Sequence, residues 1–370
     1  MNRLVLIGNG FDLAHGLKTS YADFIRWYYC QWGNRLLRGL SKIEEDGLCS
    51  FKIKDNIQVA NWASVFQGWY YKRDNPFYKW DPNEVFNKSL KDKDLCDFSF
   101  TSPLLKEIWN RLRLGWVDIE NEYYSLLIRK FHPQTGLEVL PEFKELNKQF
   151  EILRNLLIEY LKLEEGKKIS TINGIENKIF CPIKKREISI ANIKYATDKL
   201  NDDISPSNIM LLNFNYTRTP EYYIKDHKNV KVNYIHGKLD NPHSVIFGYG
   251  DELDDGYEKL KNCNDNECLR YIKSILYLES DSYRKVLDFI ETAPFQIFIM
   301  GHSCGNSDRT LLNTLFEHRF CSSIKPYFYK NDKGEDNYLN IVQNISRNFN
   351  DMKLMRDRVV IKPYCEPLSE

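Results

Sequence analysis

The feature that most constrains this chain is its start. An unbroken aliphatic run, Leu4-Val5-Leu6-Ile7, leads directly into Gly8-Asn9-Gly10-Phe11-Asp12. Four aliphatic residues without alternation suit a strand buried on both faces, as in a parallel α/β sheet. Two glycines straight after such a strand let the backbone turn sharply and approach a neighbouring group closely. That is how dinucleotide folds receive a pyrophosphate, although glycine pairs also end many ordinary strands.

A chain of 370 residues buries roughly three quarters of its unfolded surface, so one large domain or two intimately joined ones are expected. The formal net charge of +1 provides no electrostatic footprint for duplex nucleic acid or an anionic membrane. Met1-Asn2-Arg3 runs straight into the strand, so no secretory leader is expected. No apolar stretch approaches the roughly 20 residues of a bilayer span. Of nine scattered cysteines only Cys263 and Cys268 lie close, with four residues between them, and no second pair completes a tetrahedral zinc site. Free thiols in a reducing cytoplasm, and no metal, are the expectation.

Strand-like runs gather at the two ends of the chain, at residues 3–7, 208–212, 231–235, 244–247, 296–300, 325–329 and 358–362. Helical patterns at 271–292, 308–320 and 338–350 alternate with several of them, which indicates a doubly wound sheet. From about Tyr21 to Asn201 helical spacing dominates. Ser20-Tyr21-Ala22-Asp23 reads as a capping box. Phe143, Leu146, Phe150, Leu153, Leu157 and Leu161 recur at three and four residues, an amphipathic helix. Pro182 and Lys184-Lys185-Arg186 sit in a loop or hairpin. The expected organisation is a nucleotide-binding sheet domain of residues 1–30 and 203–370, whose first crossover carries a mainly helical insertion, residues 31–202.

Three later strands also end in compact polar motifs. Asn213-Phe214-Asn215-Tyr216-Thr217 follows residues 209–212. Ligands of open α/β sheets sit outside the carboxyl ends of strands, so these asparagines would face the cleft of the glycine loop. A plain turn is the alternative, because Asn tolerates unusual backbone angles. Tyr234-Ile235-His236-Gly237 offers a general base near neutral pH, or a merely structural histidine. His236 lies 21 residues beyond Asn215, about one crossover unit, so the two can end neighbouring strands. Gly301-His302-Ser303-Cys304-Gly305-Asn306-Ser307-Asp308 suits a cofactor-facing loop, while Ser307 or Asp308 can cap the helix through Leu311, Leu312 and Leu315. A shared cleft explains four such strand ends more simply than coincidence.

Other residues read less sharply. Asp12 and His15 either reach a bound nucleotide or serve the local turn. Asp118 and Glu122 share a helix face beside the apolar Trp116, Ile119 and Tyr123, whereas Glu120 points elsewhere. Such carboxylates are ordinarily a solvated flank. Aromatic clusters at Trp62, Trp69-Tyr70-Tyr71-Lys72-Arg73 and Phe77-Tyr78-Lys79-Trp80 invite base stacking, but the near-neutral charge favours burial in a helical core or a partner interface. Asp251-Glu252-Leu253-Asp254-Asp255 lacks calcium-loop spacing and reads as a solvated turn.

Gly-Asn-Gly-Phe-Asp-Leu-Ala-His-Gly-Leu, running on to Thr19-Ser20-Tyr21, resembles the start of the AbiH family of bacterial abortive-infection proteins. Trp116-x-Asp118-x-Glu120, the Asn213 to Thr217 motif, Ile235-His236-Gly237 and Gly301-His302-Ser303 to Asp308 fit the same family. The resemblance spans most of the chain, with the divergent stretches in the helical middle. AbiH proteins are in turn similar, more distantly, to the sirtuin-like NAD-binding fold, which implies an α/β, Rossmann-like (sirtuin-like), mostly parallel sheet. In that fold the glycine loop cradles phosphates. An asparagine in a Thr-x-Asn-x-Asp motif and a histidine before glycine sit beside the nicotinamide ribose. Carried onto this chain, the asparagine is Asn215, the histidine His236, and the late Gly-x-Ser Gly301 and Ser303. Gly8, Asn9, Gly10, Phe11, Asp12 and Asn213 complete the implied cofactor-facing set, and Asp118 and Glu120 would line the cleft from the insert.

There are departures. Thr217 stands where sirtuins have aspartate, Asn213 replaces the threonine, and the four zinc cysteines of protein deacylases are missing. These losses weaken a deacylase reading more than an NAD-cleaving one. Breaking the nicotinamide–ribose bond builds oxocarbenium-like charge, so Asn215 would position the ribose hydroxyls or a water and His236 would accept a proton. The resemblance implies a cytoplasmic phage-defence protein that binds NAD and hydrolyses it to nicotinamide and ADP-ribose. The alternatives are a non-enzymatic nucleotide-binding sensor and a nucleic-acid-directed effector. The expected partners are a small-molecule dinucleotide and a phage-derived trigger; no membrane or nucleic acid is expected, and a homo-oligomer stays open.

Overall fold

A computed structural model describes residues 1–37, 43–53, 96–112, 114, 117–131, 142–189, 192, 203–224, 227–250, 252 and 254–369. The strands, in chain order, are β1 (Asn2–Ile7), β2 (Ile43–Glu45), β3 (Cys49–Ile53), β4 (Cys96–Phe100), β5 (Ile183–Lys184), β6 (Asp203–Ile204), β7 (Ile209–Asn213), β8 (Val230–Tyr234), β9 (Phe295–Met300) and β10 (Cys321–Tyr327). Two compact units are formed, one by residues 1–19 and 161–370, the other by residues 20–160.

The first unit is built on a five-stranded sheet in the order β10-β9-β1-β7-β8, every neighbouring pair parallel. The aliphatic runs explain it. Alternate residues of one strand face opposite sides, so both sides of the sheet are apolar. Leu4, Leu6, Met210, Leu212, Ile297 and Ile299 join one core cluster, which the helices Ser282–Thr292, Arg309–Phe316 and Tyr338–Arg347 cover with Val286, Ile290, Leu311, Leu315 and Ile345. Val5, Ile7, Ile209, Leu211, Phe298 and Met300 join the other, covered by Ile175 and Ile179 of the helix Asn173–Phe180. Counted along the chain, the strands lie 3-2-1-4-5, the order of doubly wound nucleotide-binding sheets, compatible with a Rossmann-like fold. The order reverses between β1 and β9. That pair therefore marks the switch point.

Five of the seven expected strands form, with ends displaced by at most four residues. Residues 244–247 do not form one. A 3-10 turn, Pro242–Ser244, leads into Val245, Ile246 and Phe247, which are apolar because the loop itself is buried. Residues 358–362 instead leave the helix Met352–Arg358 and make a single bridge, Val359 to Ile324. The expected helix at 271–292 is broken at the polar Ser280-Asp281, where Ser280 Oγ accepts the Ser282 N–H.

The second unit opens with the helix Tyr21–Leu37. Its reciprocal cap is the one that the spacing predicts: Ser20 Oγ donates to the Asp23 carboxylate at 2.5 Å and accepts the Asp23 N–H at 3.1 Å. The helix Phe143–Glu165 also forms as expected, with Phe143, Leu146, Phe150, Leu153, Leu157 and Leu161 buried. Helical spacing missed the antiparallel sheet β2-β3-β4, whose short strands carry too few residues to fix a period. Among the described residues no helix is long and apolar enough to cross a membrane.

Candidate functional site at the switch point of the sheet

Beyond β1 and β9 the two exit loops meet backbone to backbone. Gly8 N–H donates to the Met300 carbonyl at 3.2 Å, and Gly10 N–H to the Gly301 carbonyl at 2.8 Å. A Cβ on Gly8 would stand 2.5 Å from His302 Cα, and one on Gly301 would stand 2.1 Å from the Phe11 nitrogen. Gly301 also has φ +76°, a left-handed conformation that favours glycine. The glycines are thus required by the contact between the loops.

The loop after β7 joins them. Asn215 Nδ2 donates to the Gly8 carbonyl at 3.0 Å, while its own N–H is held by Asn213 Oδ1 at 3.1 Å. Asn213 is fully buried, and its Nδ2 donates to the Thr217 carbonyl at 2.9 Å, so it shapes the turn that presents Asn215. Thr217 Oγ1 donates to Asp12 Oδ2 at 2.6 Å. Asp12 is buried, and among the described residues Oδ1 has no hydrogen-bond partner. Burial pushes its carboxyl up to about 6, against the hydrogen bond from Thr217 and the polar groups of Thr219 and Asn215 close by.

A buried charged cluster lies where the loops after β8 and β9 come together. Asp308 Oδ1 receives Lys273 Nζ at 2.8 Å and lies 3.1 Å from His236 Nε2, and Oδ2 lies 3.6 Å from His302 Nε2. The partners fix the protons. His302 Nδ1 accepts the Cys304 N–H at 2.9 Å, so its proton sits on Nε2, toward Asp308. His236 Nδ1 lies 3.1 Å from the Phe214 carbonyl, which can only accept, so that nitrogen is protonated. His236 Nε2 also lies 3.3 Å from the Tyr277 hydroxyl. The Phe214 ring packs on His302 at 4.1 Å and edge-on to His236 at 5.4 Å.

Burial, then the Lys273 ammonium, holds the His236 imidazole below its usual 6.5, with Asp308 opposing. Burial would raise the Asp308 carboxyl, but Lys273 and the histidines hold it well below the usual carboxylate range. At neutral pH the cluster is therefore a lysine–aspartate pair beside a neutral imidazole. A proton taken up at His236 Nε2 meets the Asp308 carboxylate 3.1 Å away.

The chain matches the bacteriophage abortive infection AbiH family over residues 4–329. It belongs to that family. No curated protein matches it. Membership of the AbiH family implies a role in defence against phage by abortive infection.

Several residues that the AbiH motifs single out take specific places here. Asn9 Oδ1 accepts the Thr19 hydroxyl at 2.5 Å, and Ser303 is exposed, its carbonyl accepting from Asn344 Nδ2 at 2.8 Å. The Phe11 ring lies in the core cluster that holds Val5 and Ile7, 4.7 Å from the His15 ring. His15 packs locally, with Nδ1 2.7 Å from the Phe11 carbonyl and Nε2 2.5 Å from the Tyr223 hydroxyl. Asp308 makes no side-chain cap on its helix; its carboxylate turns to Lys273 and the histidines. Glycine after His236 admits the Ser244 carbonyl, which would stand 2.0 Å from a Cβ there.

In the second unit Asp118 caps the helix Ile119–Arg129 by accepting the Asn121 N–H at 3.1 Å. Glu120 and Glu122 are buried, not a solvated flank, and Glu122 pairs with Arg111 at 3.1 Å. Asp254, expected in a solvated turn, caps the helix Asp255–Lys261 by accepting the Gly256 N–H at 3.1 Å. Trp116, Asp251, Leu253 and the aromatic clusters at 62, 69–73 and 77–80 lie outside the described residues. Among the described residues no group of His, Cys, Asp and Glu is placed to hold a metal ion, and Cys49, Cys181, Cys263, Cys268, Cys304, Cys321 and Cys365 are free thiols. Sequence reasoning missed Lys273 and Tyr277; the available signal was a lone cation in the apolar stretch Tyr271-Ile272-Lys273-Ser274-Ile275-Leu276.

Gly301→Ala is expected to cost about 2 kcal/mol or more in urea unfolding, from the positive φ and the clash with Phe11; a loss within ±0.5 kcal/mol would contradict the loop contact. Asp12 yields a pH prediction. A carboxyl raised in the folded chain contributes most below its unfolded value of 3.8, and that contribution is lost as pH rises through about 6. Asp12→Asn, which keeps an acceptor for Thr217 but cannot ionise, should gain on the wild type by roughly 2.4 kcal/mol between pH 4 and pH 8. Denaturation curves at both pH values check it, and parallel behaviour of the two proteins would contradict it.

Proposed function

We propose that this protein binds NAD in a sirtuin-like crevice outside the C-terminal ends of β1, β7, β8 and β9, and hydrolyses it to nicotinamide and ADP-ribose during abortive infection. The observation that supports this best is convergence. Asn215 is bonded to Gly8, and His236 is tied through Asp308 and His302 to the loop that packs on Gly8. Strand-end motifs far apart in the chain thus gather at a switch point, where open α/β sheets bind their ligands. In this mechanism the residues 8–12 loop faces the diphosphate and Asn215 orients the ribose or the attacking water. His236 takes up the proton at Nε2, where Asp308 stabilises the resulting imidazolium.

A second reading, a nucleotide sensor without turnover, is favoured by one observation. His236 is buried with both ring nitrogens engaged inside the chain, and the Gly8 and Gly10 amides already donate to carbonyls. Turnover and binding separate the two. The purified protein should release nicotinamide from NAD, and His236→Ala should lose roughly 10²–10⁴-fold of that rate. Equal release by the variant would remove His236 from the chemistry. Calorimetric binding of NAD without release would favour the sensor, and no binding would contradict both.

A further inference from the structure

Lys273 is a lysine with 1% of its side chain exposed, and long-range backbone bonds deliver it to Asp308. Its N–H donates to the Tyr249 carbonyl at 2.9 Å, and Tyr249 N–H donates to the Tyr271 carbonyl at 3.0 Å. The next residue, Gly250, bonds both flanks of Asp308: its N–H donates to the Ser307 carbonyl and its carbonyl accepts the Thr310 N–H. A Cβ on Gly250 would stand 3.1 Å from Lys273 Cβ, so the lysine's stem fills the space beside it. Fully buried lysines are rare, and an ion pair out of water seldom improves on apolar packing. A local backbone frame that presents an ammonium to this carboxylate therefore points to a task beyond stability.

The groups around His236 show what the task is. Asp308 Oδ1 and the Tyr277 hydroxyl face Nε2, the Phe214 carbonyl faces Nδ1, and the Tyr216 and Phe214 rings flank the imidazole. His302 lies on the second oxygen of Asp308 and Lys273 shares the first. We propose that Lys273 and Asp308 are a positioning pair for His236: the Phe214 carbonyl holds the ring through Nδ1–H, the Tyr277 hydroxyl donates to Nε2, and Lys273 neutralises the Asp308 carboxylate beside Nε2, which keeps its lone pair to accept a proton and bonds to Asp308 once protonated. Its catalytic consequence rests on the NAD-cleaving reading, while the coupling among the three side chains stands on this geometry alone. Removal of the ammonium leaves Asp308 as an uncompensated buried charge, and the adjacent imidazole is the group able to replace it.

The test is the titration of His236 followed by NMR of imidazole-labelled full-length protein, the signal being assigned by its loss in His236→Gln. Lys273→Met should raise the midpoint by about one pH unit or more, a tenfold change in the protonation equilibrium, and Asp308→Asn should lower it. Lys273→Gln, which keeps a hydrogen-bond donor without the charge, should behave as Lys273→Met and decides the matter if the methionine variant does not fold. Unmoved midpoints in folded variants would overturn the proposal. If NAD is turned over, the acid limb of the pH–rate profile should move upward in Lys273→Met along with the titration. Absence of nicotinamide release by the wild type would sink the NAD-cleaving reading and leave the titration result to decide the pair.

Discussion

Where β1 and β9 end, two loops touch through their backbones, and the site depends on that contact. The Gly8 and Gly10 amides bond to the Met300 and Gly301 carbonyls, and side chains at 8 or 301 would collide with the opposite loop. The sheet order makes these two strands the pair at which the winding reverses. Asn215 then fastens the next loop to Gly8, and Phe214 carries the contact on to both histidines. A local sequence preference for turns would not require so many matched partners from three separate strands.

Two carboxylates in this neighbourhood are driven in opposite directions. Asp12 is surrounded by hydroxyl and amide donors with no cation among its named partners, and burial raises it to about 6. Asp308 is also buried, yet Lys273 and the imidazoles hold it well below the usual range. Environments that separate the acidities of like groups are a common arrangement for acid–base work at neutral pH. The same low dielectric makes each partner matter, since a buried charge stripped of its counterion is costly.

Much of the framework is legible in the sequence because it depends on burial period. Unalternating aliphatic runs mark strands covered on both faces, and Phe143 through Leu161 at helical spacing mark a helix. The strand-end motifs were also visible as departures from ordinary turns. What stayed hidden depends on distant partners. Lys273 meets a carboxylate 35 residues away, and its lone charge in an apolar stretch does not say which partner it has. Asp308 stands before a helix in Asn306-Ser307-Asp308, which reads as a cap until its partners are known. Residues 244–247 look like a strand because burial alone, without pairing, selects the same apolar residues.

A crystal structure of the protein with ADP-ribose bound tests the shared crevice most directly. The expected result is the diphosphate against residues 8–12 and the distal ribose between Asn215 and His236. Ligand bound at any place away from the C-terminal ends of β1, β7 and β9 would contradict it.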